Sequence, residues 1–438
     1  MLTSRGSKRM LHRLLAPLLA VLCLGACQRT LVPAPTIYTT GGPNPFAEVA
    51  PEFRSSTVEI LYITDRARKD RDDGSPWYGY GRSPELAYGT CQVHLGRDAS
   101  WEDLVAASTS GKGHQHFPLS IGEVKELGRF PSSVRRYTRD ESGNLVEIQA
   151  TQEERLRLRD EFSAHLRQRL SRTDRKDVYI FVHGFKNKFE HPMYVMAQLW
   201  HYMGREGVPV VYTWPAGSGG GLFGYTHDRE SGEFTIYHLK NTIEGIAQCG
   251  EVERIHIISH SRGTDVASSA LRELNIKYLA KGLVPSRELK LATVILAAPD
   301  LDLEVASQRI SAEQLGLIAD HVTLYVSPTD RAISLSDILF KSGVRLGRMR
   351  YADIPENVRK NMELTAAHVQ IVDVVAKTSG AGHSYFYNHP GALSDVIWLL
   401  RDGVAPGTNG CRPLVQVGPG YWELRDDYCK AAATAAAR

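Results

Sequence analysis

Ser261 stands in Ser259-His260-Ser261-Arg262-Gly263, directly after the apolar run Ile255-His256-Ile257-Ile258 and ahead of a helical stretch. A serine at such a strand-to-helix turn, with small residues two positions before and two after it, fits a nucleophile elbow. The backbone turns sharply there, and only small neighbours let strand and helix approach. The pattern is G-x-S-x-G with Ser259 in the first glycine position. Five residues alone are a weak signal. They gain weight from the flanking strand and helix, and from a second strand that ends in His183-Gly184-Phe185. If Ser261 merely capped the following helix, it would need none of the partners described next.

A serine hydroxyl is barely ionised near neutral pH, so it needs a base, and the imidazole in turn needs an orienting acid. In a parallel sheet such groups collect just past the carboxyl ends of the strands. His321 and His368 open strands, at the wrong end. His383 lies in Ser379-Gly380-Ala381-Gly382-His383-Ser384, after the last long strand, where two glycines give the loop reach. His389, before Pro390, fits the opening of a helix and is the second choice of base. Asp330 follows the run Val322-Thr323-Leu324-Tyr325-Val326 and is the leading acid. Asp300 and Asp302, past the preceding strand, are the alternatives, with Asp302 also placed to cap the next helix. The backbone N–H groups of Arg262 and Phe185 are the candidate oxyanion donors, with Gly184 letting the chain pass close. This is acyl-transfer chemistry through a covalent intermediate. It needs no metal and no organic cofactor, and no Cys/His spacing suggests zinc.

The elements that must position these groups follow from residue 177 onward. Short β-branched runs at 178–182, 208–213, 254–258, 291–297, 322–326 and 369–375 alternate with amphipathic stretches at 192–204, 234–248, 265–281 and 302–315. That alternation predicts an α/β fold with a mostly parallel sheet covered on both faces. A further strand at 58–64, turn signals, and a charged helix at 152–170 predict a smaller, mixed α/β extension before it. The organisation read from these patterns is a leader (1–26), a Pro-rich tether (27–54), the extension (55–173), a catalytic domain (174–402) and a tail (403–438). Residues 217–232, glycine-rich at first and carrying Tyr225 and Asp228, are expected to form a loop, either a lid over the site or plain surface.

The 438 residues are 42% hydrophobic and 23% charged, which excludes a mainly disordered chain. Lys and Arg exceed Asp and Glu by only three, too even for a charge-driven nucleic-acid binder. Arg5, Lys8, Arg9 and Arg13 precede the apolar run 14–24, which is short and broken by Pro17. It fits a signal peptide rather than a membrane span. Leu24-Gly25-Ala26-Cys27 resembles a bacterial lipobox, which implies cleavage before Cys27, acylation of that residue, and a membrane tether; Gln28 fits outer-membrane sorting. Export to the cell envelope would be an oxidising context for Cys91, Cys249, Cys411 and Cys429. These allow three pairings, and a Cys411–Cys429 staple across the tail is the one expected.

Taken together, the chain resembles a bacterial α/β-hydrolase family, esterase- or lipase-like and of unknown function. The likeness rests on Tyr62-Ile63-Thr64-Asp65-Arg66, Phe181-Val182-His183-Gly184-Phe185, Tyr212-Thr213-Trp214-Pro215, Ile258 through Gly263, Tyr325 through Ala332, and Gly382-His383-Ser384-Tyr385-Phe386. It implies the α/β-hydrolase fold, with Ser261, Asp330 and His383 as nucleophile, acid and base. Ser259 and Arg262 depart from the family's elbow, which resembles A-H-S-M-G. The Arg262 side chain would either hold an acidic substrate group or pair with a carboxylate of the protein. The expected activity is hydrolysis of a carboxylic ester, small or lipid-borne. The alternatives are acyl transfer to an alcohol or sugar acceptor and a non-catalytic envelope scaffold.

Overall fold

The computed structural model describes residues 29–217, 221–333, 345–380, 382–407 and 412–429, and of residues 221–223 and 225 the backbone only. The leader, Cys27, Cys411 and the alanine-rich end lie outside the described residues, and so does the expected Cys411–Cys429 bond. Cys91 and Cys249 are buried thiols.

Thirteen strands are present among the described residues: β1 (Thr57–Arg68), β2 (Tyr78–Leu95), β3 (Leu119–Arg129), β4 (Tyr137–Arg139), β5 (Leu145–Glu147), β6 (Asp177–Val182), β7 (Val208–Thr213), β8 (Arg254–His260), β9 (Leu291–Ala297), β10 (His321–Val326), β11 (Val369–Val374), β12 (Val415–Gly418) and β13 (Tyr421–Leu424). The longer helices are α1 (Trp101–Ser110), α2 (Gln149–Leu170), α3 (Glu190–Tyr202), α4 (Gly221–Ala247), α5 (Gly263–Leu279), α6 (Glu356–Thr365) and α7 (Pro390–Asp402). None of the described helices is long and apolar enough to cross a membrane.

Eleven strands make one sheet in the order β12-β13-β11-β10-β9-β8-β6-β7-β1-β2-β3. From β13 to β1 all neighbours run parallel; β2, β3 and β12 add antiparallel margins. All six strands expected between 178 and 375 are found. Every residue of β6, β7 and β9 is buried, which is why these strands spell as mostly apolar runs rather than as alternating ones. Successive side chains point to opposite faces. Tyr179 and Phe181 join one core, with α1, α3 and α7, while Val178, Ile180 and Val182 join the other, with α2, α4 and α5.

The segments flanking the central strands pack onto them. The Pro-rich segment does not behave as a free spacer: Leu31, Ile37, Tyr38, Phe46 and Val49 are buried, and the Val32 N–H bonds Gln198 Oε1 at 2.7 Å. Its prolines set the path of a packed strap, and scattered apolar residues anchor it. The extension contributes strands to the same sheet, β1 lying parallel against β7 with Leu61 opposite Val210. The tail supplies β12 and β13, the latter paired with β11.

A fully buried ion pair holds that tail. Arg412 Nε and Nη2 each donate to Asp395 of α7 at 2.9 Å, and the Tyr325 and Tyr428 hydroxyls donate to the same carboxylate. Removing one partner of such a pair strands a buried charge. Arg412→Ala is therefore expected to lower stability by about 3–5 kcal/mol, read as a lower denaturant midpoint, and Arg412→Met together with Asp395→Leu to lower it by less than Arg412→Ala alone.

Candidate active site

The chain turns from β8 into α5 at Ser261, whose φ of 54° is left-handed. A non-glycine residue held there costs on the order of 1–3 kcal/mol, and such strain persists only where the surroundings enforce it. They do so here. The Ser261 N–H bonds Ala297 O at 2.9 Å, and Ser261 O accepts from Thr264 N at 3.0 Å and Thr264 Oγ1 at 2.6 Å. Ser259 is fully buried, and its hydroxyl donates to Ile295 O at 3.0 Å, so a serine suits this first elbow position by satisfying itself on the neighbouring strand.

The crowding demands glycine at two places. A Cβ on Gly263 would lie 2.3 Å from His183 O, and one on Gly184 would lie 2.7 Å from Ser261 Cβ. The segment 183–185 therefore passes directly beside Ser261. His183 fixes its shape rather than doing chemistry. Its Nδ1 donates to Gly184 O, its Nε2 accepts from the Trp214 N–H, and its ring stacks on Trp214. Burial pushes its pKa well down, so the imidazole stays neutral with the proton on Nδ1.

Asp330 follows β10 and is fully buried. One carboxylate oxygen accepts the N–H groups of Ala332 and Ile333 at 2.9 and 3.2 Å, and the other meets His383 Nδ1 at 2.7 Å. With Nδ1 committed to the acid, Nε2 is the ring atom left for a nucleophile. The His383 loop is pinned to the elbow: His260 Nε2 donates to His383 O at 2.9 Å, and the two rings lie 4.7 Å apart. Burial, with His383 alongside, holds His260 down at about 3, hence neutral. The structure thus joins Asp330 to His383 and sets His383 against the residue preceding Ser261. Among the described residues, no hydrogen bond links Ser261 Oγ to His383.

The other candidates fall into structural places. Asp302 caps the short helix Leu303–Ser307, accepting from Glu304 N and Val305 N. Asp300 faces Arg345 at 3.6 Å. His389 caps α7 through Ala392 N, and His368 Nδ1 donates to Asp320 O. The Arg262 guanidinium pairs with Asp265 at 2.8 Å, the carboxylate alternative of the two that its sequence left open. The expected loop at 217–232 is helical from Gly221 onward, with 218–220 outside the described residues. Gly221, Gly224 and Gly232 lie within α4. Asp228, nearly fully buried, accepts the N–H groups of Lys186 and Gly217, so this helix braces the segment that follows Gly184.

Arg66 was not legible as a site residue outside the family resemblance. It leaves β1 fully buried, and its guanidinium donates to Gly79 O, Ala216 O, Asn187 O, Thr213 Oγ1 and His183 Nε2. One side chain thereby ties the segment 183–187 to the segment after β7. Burial lowers its pKa to about 10, which leaves it charged at neutral pH. Asp65 beside it is also fully buried, accepts the Thr235 hydroxyl at 2.8 Å, and is pushed by burial up to about 7.

A family model described as "Alpha/beta hydrolase of unknown function (DUF900)" matches residues 158–400, more than half of the chain. Among solved structures, a lipase-esterase related protein from Clostridium acetobutylicum ATCC 824 is similar at 13% identity, over 50% of this chain and 81% of that one, with a TM-score of 0.21. No curated protein matches.

The buried Asp65 carboxyl carries a pH prediction. In the unfolded chain it ionises near 3.8 and in the folded chain near 7, so between these values the folded state holds a proton the unfolded state has released. Its contribution to stability therefore falls as pH rises from about 4 to 7 and is level above. Urea unfolding across pH is expected to show Asp65→Asn gaining on the parent through that window, with a constant difference beyond it.

Proposed function

The chain belongs to the family of α/β hydrolases of unknown function, and from that premise we propose that it is a serine hydrolase cleaving a carboxylic ester. The observation that carries this reading is the 2.7 Å bond between buried Asp330 and His383, on a loop docked against the left-handed turn that bears Ser261. A purely structural elbow has no use for an imidazole so oriented.

In this mechanism Ser261 Oγ attacks the ester carbonyl while His383 Nε2 takes its proton. The serine–imidazole bond closes as substrate binds, because catalytic contacts are commonly longer in the free enzyme. The carbonyl oxygen becomes an oxyanion, which accepts from the backbone N–H groups of Arg262 and Phe185. One such donor is typically worth about 10²–10³ in rate. The intermediate collapses, the C–O bond to the alcohol breaks, and His383 returns the proton to the departing oxygen. Water, deprotonated by the same ring, then releases the acid and restores Ser261. Asp330 stabilises the imidazolium throughout and keeps its own negative charge. The main-chain route to the oxyanion leaves the Arg262 side chain free of any catalytic duty. The reading extends to cellular context: a leader ending at a lipobox, with acylated Cys27 holding the enzyme at the cell envelope, most simply at the outer membrane.

A fluorophosphonate probe is expected to label the protein at Ser261, as identified by peptide mass, and Ser261→Ala to abolish both labelling and hydrolysis of an acyl-chain series of esters. Labelling that survives in Ser261→Ala would place the nucleophile elsewhere, and a folded protein that turns over none of the series would favour a scaffold. Asp330→Asn, which disturbs the tautomer but not the shape, is expected to lower kcat by about 10⁴ with little change in KM, measured on the best ester of that series.

A further inference from the structure

A cleft of about 280 Å³ opens between α2 and α4, over β1 and β2, and is lined by none of Ser261, Asp330, His383, Phe185 or Arg262. Its apolar wall is made by Ile63, Tyr88 and Phe162, all buried, and by Leu156, which is 51% exposed on a helix whose outer side is otherwise charged. Three guanidinium groups stand among the lining residues. Arg135 and Arg155 share the single carboxylate of Glu147, while Arg159 is exposed and has no partner among the described residues. The carboxylate of Glu244, which also lines the cleft, is already taken by Lys277 and the Tyr278 hydroxyl. The cleft thus combines an apolar wall with an excess of positive charge.

We infer that this cleft binds an anionic amphiphile with one alkyl chain and a carboxylate head. Such a ligand satisfies both features at once. Its chain removes Leu156 and the wall from water, at roughly 25 cal/mol per Å² of apolar area covered. Its carboxylate supplies the anion that Arg159 lacks, through a charge-assisted hydrogen bond. The volume is near the lower limit of ordinary ligand sites, which suits a single chain rather than a diacyl lipid. A nucleic-acid strand would instead require a long cationic track, which three guanidinium groups beside an apolar wall do not make. The cleft shares α4 with the oxyanion loop, since the same helix carries Asp228, but the binding inference stands apart from the proposed catalysis.

The test is calorimetric titration of the full chain with dodecanoate below its micellar concentration. One site is expected, still titratable after Ser261 has been blocked with fluorophosphonate and in Ser261→Ala. Arg159→Glu, at an exposed position and with an unchanged unfolding temperature, is expected to weaken binding at least tenfold. Dodecyltrimethylammonium, with the same chain and opposite charge, is expected to bind at least tenfold more weakly than dodecanoate. Absence of dodecanoate binding, binding indifferent to Arg159→Glu, equal binding of the cation, or loss of binding on Ser261→Ala would each overturn the inference. The last result would place the ligand at the elbow instead. If Ser261 proves inert to the probe, the Arg159→Glu and cation comparisons still decide the matter.

Discussion

Close approach of two backbones at Ser261 is the constraint on which the molecule turns. The segment 183–185 crosses so near the elbow that neither Gly184 nor Gly263 has room for a single methyl group. That contact requires β6 and β8 to be neighbours, with Val182 opposite Ser259, and requires α5 to begin immediately after the turn. It also holds the serine in its left-handed conformation, because relaxing φ would drive the residue out of its bonds to Ala297 and Thr264. The strain is small beside the burial of the strands that enforce it.

Around this contact the structure places ties that come from remote parts of the chain. Arg66, at the end of β1, knits the backbones of residues 79, 187 and 216 together, and Asp228 of α4 takes hold of Lys186 and Gly217. The segment 183–187 is therefore fixed by side chains from remote parts of the chain. Electrostatic stabilisation depends on such advance fixing, since donors that must reorganise during the reaction lose much of their value. On the other flank, Asp330 is held by two backbone N–H groups and His383 by its neighbour His260.

The central strands were legible in the sequence because a strand buried on both faces has no solvent side to impose polar alternation, and their few polar residues, such as Thr293 and Thr323, are themselves buried. Ser261, Asp330 and His383 were candidates for a related reason: each follows one of those strands, and the structure joins the latter two at 2.7 Å. What escaped was context. The glycines at 217–221 hid the start of α4, on which Asp228 is buried. The half-exposed residues of β12 carry almost no pattern, and that strand exists through its pairing with β13. Arg66 looks like a surface charge in any local reading. Its partners are mostly carbonyl oxygens, which all residues possess, so nothing in their identity announces them.

The reach of Arg66 also bears on how the chain acquires its shape. Its bonds to Thr213 and Ala216 join positions 147 and 150 residues apart, and the Val32–Gln198 bond spans 166. Closing loops of this length is entropically costly before any stabilisation is returned, and it makes assembly slow relative to helical proteins of similar size. The stretch that carries Arg66 must therefore wait, with its arginine still in water, until about a third of the polypeptide has followed it.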